Sequence, residues 1–217
     1  MAIANPPAAE EQLRRHLAAA GVPPRYLACR FETFTARPGT AKAIAAARAV
    51  VACERDGLVL CGNPGTGKTH LAVAMLAERL RAWLEMYPDE AIDRVVDGYA
   101  VVSRRPPLTV RLVSVPSFLD LLRSRIRFAD AVDPLPDLIA ADLLVLDDLG
   151  REKVTDWASE RLYVLVNERY NAMRPTVVTS NYPPATLAER GYDAVVSRLS
   201  EGGPALVISA GDYRSGR

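Results

Sequence analysis

Histidine is nearly absent from this chain: His16 and His70 are the only two among 217 residues. A histidine-rich metal site or a Ser-His-Asp triad therefore has little to work with. Cysteine is almost as scarce. Cys29, Cys53 and Cys61 form no CxxC pair and no metal-ligand spacing, so they read as buried, reduced thiols of a cytosolic protein. No charge of either sign dominates. Lys and Arg number 27 against 26 Asp and Glu, so any nucleic-acid site must be a local patch rather than a global field. No apolar run approaches the roughly 18 residues that cross a bilayer. The start of the chain, Met1 to Leu17, lacks the basic-then-apolar order of a secretory signal. The expectation is a cytoplasmic protein with no membrane contact.

What is present is the mix of an ordinary globular protein, 49% hydrophobic and 24% charged. A chain this long can bury a substantial core without staples. Five short apolar runs stand out: Leu58–Cys61, Thr109–Val115, Leu143–Leu146, Thr176–Thr179 and Ala205–Ser209. Continuous apolar strands of this kind suit a parallel sheet covered on both faces. Helical stretches separate them, at Lys68–Tyr87, Ser117–Phe128, Asp156–Met173 and a short pair within Pro184–Leu199. The alternation predicts a doubly wound α/β sandwich. Ahead of it, Pro7–Ala20 reads as a short helix closed by Gly21 and stopped by Pro23 and Pro24. A second helix is expected over Thr40–Glu54. Residues 88–107 interrupt the alternation and read as an insertion with the look of a hairpin.

Four short motifs carry the chemistry. Gly62, Asn63, Pro64, Gly65, Thr66, Gly67, Lys68 and Thr69 match G-x-x-x-x-G-K-[ST] without deviation, after a strand and before a helix. The glycines let backbone N–H groups curl around a β-phosphate, and the helix beginning near Lys68 adds its positive end. Lys68 is expected to reach the β- and γ-phosphates of ATP and Thr69 to ligate Mg²⁺. His70, next along the helix, is counted with the nucleotide-binding residues. The apolar strand Leu143–Leu146 ends in Asp147 and Asp148, the Walker B arrangement. Asp147 is expected to hold Mg²⁺ and Asp148 to orient or deprotonate the attacking water. The alternative is a pair of carboxylates that only caps the next turn. The strand from Thr176 ends in hydroxyls and an amide, and Asn181 suits a contact with the γ-phosphate because it can donate and accept at once. Its alternative is an Asn turn before Pro183. Asp193 to Leu199 reads as a short helix with Arg198 near its end. Arginine is the residue type for charge on a transferring phosphoryl group, although most surface arginines are merely solvated.

The phosphate loop, Asp147-Asp148-Leu149-Gly150, Thr179-Ser180-Asn181 and Ser197-Arg198-Leu199, in that order, resemble an AAA+ ATPase of the bacterial helicase-loader group, with IstB-type transposition helpers as relatives. Residues 147–181 carry the closest likeness, including Trp157 and Arg169-Tyr170. Val22–Tyr26, Phe31–Phe34 and Asp212–Ser215 resemble the family's lead-in and end. The resemblance covers residues 22–215. It implies an AAA+ sheet of five parallel strands between helices, Asn181 as sensor 1, and Arg198 as an arginine finger acting on a neighbouring copy, hence self-association. It also implies ATP hydrolysis with Mg²⁺, a replicative helicase as partner, and single-stranded DNA. The domain reading is a short helix and linker over 1–34 and an AAA+ ATPase domain over 35–217, with the insertion near 88–107. Little chain follows the fifth strand, so the helical lid of such proteins is expected to be absent. Arg123 and Arg127 lie four apart on one helix face beside Phe128 and form the candidate DNA contact. The alternative there is a solvated face. Three rival functions are a transposition helper, a small-molecule kinase and a nucleotide-gated module that hardly turns over. Such kinases usually carry a lid arginine pair and an acceptor pocket; here no lid is expected, and Asp147-Asp148-Leu149-Gly150 followed by Thr179-Ser180-Asn181 favours water activation over a second substrate.

Overall fold

The computed structural model describes residues 6–87, 91–96, 99–104, 108–127 and 133–213. In chain order its elements are α1 (Pro6–Ala19), α2 (Ala41–Val51), β1 (Gly57–Cys61), α3 (Lys68–Met86), β2 (Ala91–Val96), β3 (Tyr99–Arg104), β4 (Val110–Ser114) and α4 (Val115–Arg127). There follow α5 (Leu135–Ala140), β5 (Leu143–Leu149), α6 (Asp156–Asn171), β6 (Thr176–Ser180), α7 (Pro184–Leu187), a π-turn at Ala188–Tyr192, α8 (Asp193–Gly202) and β7 (Ala205–Val207). The five apolar runs pair in parallel in the order β4-β5-β6-β1-β7. β2 and β3 form a separate antiparallel hairpin inside the expected insertion.

Alternation along each strand explains why the apolar runs are continuous. Leu58 and Leu60 of β1, Leu143 and Val145 of β5 and Val177 of β6 face one core with α1, α2 and α3. Val59 and Cys61, Leu144 and Leu146, and Val178 face the other, with α4, α6 and α8. Both faces are buried, so neither can be polar. The first 34 residues join this packing. Leu13, Leu17, Val22, Phe31 and Phe34 belong to the core under α3, and the Ala20 carbonyl accepts from Leu112 N–H of the edge strand β4 at 2.8 Å. Glu10 pairs with Arg30 at 2.5 Å.

Several boundaries differ from the sequence expectation. β5 runs three residues further than Leu146, and its register to β6 shifts between Leu146 and Leu149. α4 begins at Val115 because Pro116 fits the first turn of a helix, where its missing N–H costs nothing. The short α5 was not anticipated. Cys53 is exposed, unlike Cys29 and Cys61, whose thiols burial pushes up to about 11. Phe128, Arg214 and Ser215 lie outside the described residues, as does the side chain of Arg127.

Arg169 is fully buried on α6 and holds two layers together. Its guanidinium donates to the carbonyls of Leu138 at 2.7 Å, Ile139 at 3.0 Å and Ala141 at 2.7 Å at the end of α5. It also donates to Pro175 O at 2.6 Å and Thr176 Oγ1 at 3.0 Å at the start of β6. Burial pushes its pKa down to about 10, which still leaves a cation near neutral pH. Arg169→Ala would orphan these buried acceptors, each costing about 1–3 kcal/mol. We expect the variant to lose about 4 kcal/mol, allowing for partial rehydration, read as a lower urea midpoint at unchanged slope. A loss under about 1 kcal/mol would mean that water reaches the carbonyls.

Candidate nucleotide-binding site

The phosphate loop leaves the C-terminal end of β1 and feeds α3. Gly65 and Gly67 have φ of 80° and 91°, in the left-handed region that L side chains rarely occupy. A Cβ at Gly67 would also lie 2.6 Å from the Phe34 ring, so glycine is required there twice over. Gly62 N–H donates to Ser180 O of β6 at 3.2 Å, and Thr66 Oγ1 donates to Asn63 O at 2.9 Å, bracing the loop from both ends. Lys68 is 6% exposed, and its ammonium donates to Gly62 O at 2.7 Å and Asn63 O at 2.9 Å. The ammonium thus lies over the mouth of the loop rather than in solvent. Pro64 stiffens the same turn.

The strand order places three elements side by side at this end of the sheet. β6 neighbours β1, with Ser180 opposite Cys61, and β5 lies beyond β6. Thr69 Oγ1 donates to Asp147 Oδ1 at 2.9 Å, and Thr179 Oγ1 donates to the same oxygen at 2.6 Å. Burial raises the Asp147 pKa, while the hydroxyls of Thr179 and Thr69 and the Lys68 charge pull it back. Thr179 Oγ1 also accepts from Asp148 N–H at 3.0 Å. One hydroxyl therefore ties both carboxylate residues to the neighbouring strand. Asp148 sits in the shifted stretch of β5 with φ of 62°, which turns it out of the strand's alternation. Its Oδ2 pairs with Arg151 at 3.3 Å.

Lys68, Thr69, Asp147 and Asp148 thus lie together at one end of the sheet. Asn181 follows the last residue of β6 on the same side of the sheet. His70 turns its ring away from the loop, to Arg30 O at 2.9 Å and Thr33 Oγ1 at 3.3 Å, edge-on to Phe34. Arg198 is elsewhere. It lines a small cavity with Asp56, Gly57 and Thr176, at the N-terminal ends of β1 and β6. Arg123 pairs with Asp120 at 2.8 Å and lies 5.2 Å from the Trp157 ring. Thr179 was missed as a site residue because a hydroxyl inside an apolar strand gives no signal until the neighbouring strand is known. Arg151 was missed because a lone surface arginine has many solvated counterparts.

A phosphate loop on β1, acidic residues two strands away on β5 and, between them, the strand β6 with its hydroxyl-bearing end define a P-loop nucleotide-binding fold of the AAA+ type. Residues 8–97 match the profile of the IstB-like ATP-binding proteins. The replicative helicase loader DnaC of Escherichia coli is 26% identical over 212 residues, covering 94% of this chain and 76% of DnaC. Protein XkdC of the phage-like element PBSX of Bacillus subtilis is 30% identical over 133 residues, 59% of this chain and 41% of that protein. The crystal structure of the DnaC helicase loader superposes with a TM-score of 0.66 at 26% identity, over 86% of this chain and all of that one. In sequence and fold the chain is thus similar to the helicase loader DnaC, and over residues 8–97 to the IstB-like ATP-binding proteins. Among the described residues no helix is long and apolar enough to cross a membrane.

Proposed function

We propose that this chain is an ATP-hydrolysing helicase loader that acts on single-stranded DNA and assembles head-to-tail with copies of itself. The observation that carries the reading is the meeting of Lys68, Thr69, Asp147 and Thr179 at one end of the sheet, in a chain that aligns with DnaC along nearly its whole length. The backbone of Gly62–His70 cradles the phosphates, and Lys68 exchanges its two carbonyl partners for β- and γ-oxygens. Thr69 Oγ1 and Asp147 Oδ1, already 2.9 Å apart, are the pair that fits Mg²⁺. That ion, when bound, offsets charge on the β- and γ-phosphates. Asp148 takes the proton of the attacking water, and Asn181 holds the γ-phosphate. An IstB-like role in transposition is the second reading, favoured by the profile match over residues 8–97.

The test starts with Lys68→Ala, expected to weaken ATP binding by at least 100-fold in calorimetry, because a buried charge-assisted contact is lost. Unchanged affinity would put the triphosphate elsewhere. With ATP, the wild type should raise the amount of replicative helicase retained on single-stranded DNA, and Lys68→Ala should not. Retention of a transposase instead selects the second reading.

Arg123→Ala combined with Arg127→Ala should weaken single-stranded DNA binding. The slope of log affinity against log salt should fall by about 0.7 for each lost phosphate contact. An identical slope would return the α4 face to solvent and to Asp120.

A further inference from the structure

The segment after β7 does not leave the molecule. Ile208 N–H donates to Cys61 O at 2.7 Å, where β1 passes into the phosphate loop. Five residues later Tyr213 N–H donates to Gly65 O at 3.0 Å, near the tip of that loop. Residues 208–213 therefore form a strap fastened at both ends across the loop. The tyrosine ring is clamped as well. Its hydroxyl donates to Thr35 O, the Arg37 guanidinium lies 3.9 Å from its centroid, and Phe34 packs at 5.9 Å. Arg37 also donates to Gly211 O at 3.4 Å.

Between the two fastenings, the Asp212 carboxylate rests on Gly65. Any Cβ at Gly65 would collide with both its oxygens and its Cγ. A turn of aligned N–H groups at a helix start attracts anions, and the Asp212 carboxylate lies against that turn at Gly65. A triphosphate brings several more negative charges to the same few ångströms, and like charges at that range repel.

We propose that the strap is an autoinhibitory latch: the Asp212 carboxylate caps the phosphate-binding loop and moves away when a triphosphate binds. The latch rests on the ATP-binding reading above. Binding then costs the Tyr213 fastening, and nucleotide occupancy controls whether Tyr213 and Arg37 are free. Since apparent affinity scales with the fraction of molecules that are open, a strap open in about one molecule in ten weakens binding about tenfold.

Asp212→Asn keeps the shape and removes the charge. It is expected to bind ATP about tenfold more tightly than wild type in calorimetry. Arg37→Ala, which loosens the clamp without touching the carboxylate, should shift affinity the same way. In the wild type, ATP should speed hydrogen exchange at the Tyr213 amide, because its bond to Gly65 O opens. Lys68→Ala is measured alongside. If Lys68→Ala loses binding while Asp212→Asn binds as wild type, the nucleotide site stands and the latch is wrong. Weaker binding by Asp212→Asn, with slower Tyr213 exchange in ATP, also overturns it. That result would make the strap a clamp on the nucleotide.

Discussion

Asp148→Asn is expected to bind ATP as tightly as the wild type and to hydrolyse it about a thousandfold more slowly. The two carboxylates of the pair sit in different surroundings, and that difference separates their roles. Asp147 is buried, with Thr69 and Thr179 both donating to one oxygen, so it is built to keep a fixed geometry. Asp148 is turned outward by its left-handed backbone and is only partly buried, beside the exposed charge of Arg151. A base must receive a proton, and the outward carboxylate can do so without breaking the Thr69–Asp147 pair. Asparagine preserves shape and the Thr179 contact to the backbone N–H while removing the basic oxygen. Calorimetry with ATP and a phosphate-release assay separate the two effects. If binding and hydrolysis fall together, Asp148 belongs to the nucleotide or metal contacts. If hydrolysis survives, another group activates the water.

Arg198→Ala should lower hydrolysis by about 10³-fold or more with ATP affinity nearly unchanged. The argument is one of distance. Arg198 stands beside Gly57 and Thr176, the first residues of β1 and β6, whereas the phosphate loop follows Cys61, the last residue of β1. At roughly 3.3 Å per strand residue the sheet alone separates them by about 13 Å, beyond the reach of one side chain. Within its own chain the guanidinium is held by Asn167 Oδ1 at 3.1 Å and Glu201 at 3.1 Å, 5.2 Å from the Tyr170 ring centroid. Any phosphate it serves belongs to another copy. Mixing Arg198→Ala with Lys68→Ala, each inactive alone, should therefore restore hydrolysis, since one supplies the loop and the other the arginine. Co-assembly without restored hydrolysis would return Arg198 to its ties with Asn167 and Glu201.

Much of this was legible in the chain because it is local. The loop Gly62–Thr69 is a contiguous match, and the apolar runs declare a sheet buried on both faces by having no polar alternation. The reading stopped where contacts join distant residues. Thr179 meets Asp147 only because β6 lies beside β5, and the shift that rotates Asp148 exists only in that pairing. Arg169 was marked for its likeness to the family, yet nothing near it in sequence says that its partners are carbonyls of α5. Asp212 and Gly65 are far apart along the chain, and their encounter depends on β7 lying next to β1. Residue type and order predict elements well, but they say little about which polar atom of one element answers which of another.

The placement of Arg198 and Lys68 at opposite ends of one strand has an arithmetic consequence. If Arg198 serves a neighbour's loop as proposed, each subunit lends its arginine at one pole and borrows a neighbour's at the other, a heterologous contact, which propagates. An open stack then always carries one loop that no arginine serves, at its terminal copy, however many copies join. A closed ring carries none. Turnover per subunit should thus climb with stack length toward a ceiling and reach it abruptly on closure, so that activity plotted against concentration reads out the growth of the assembly.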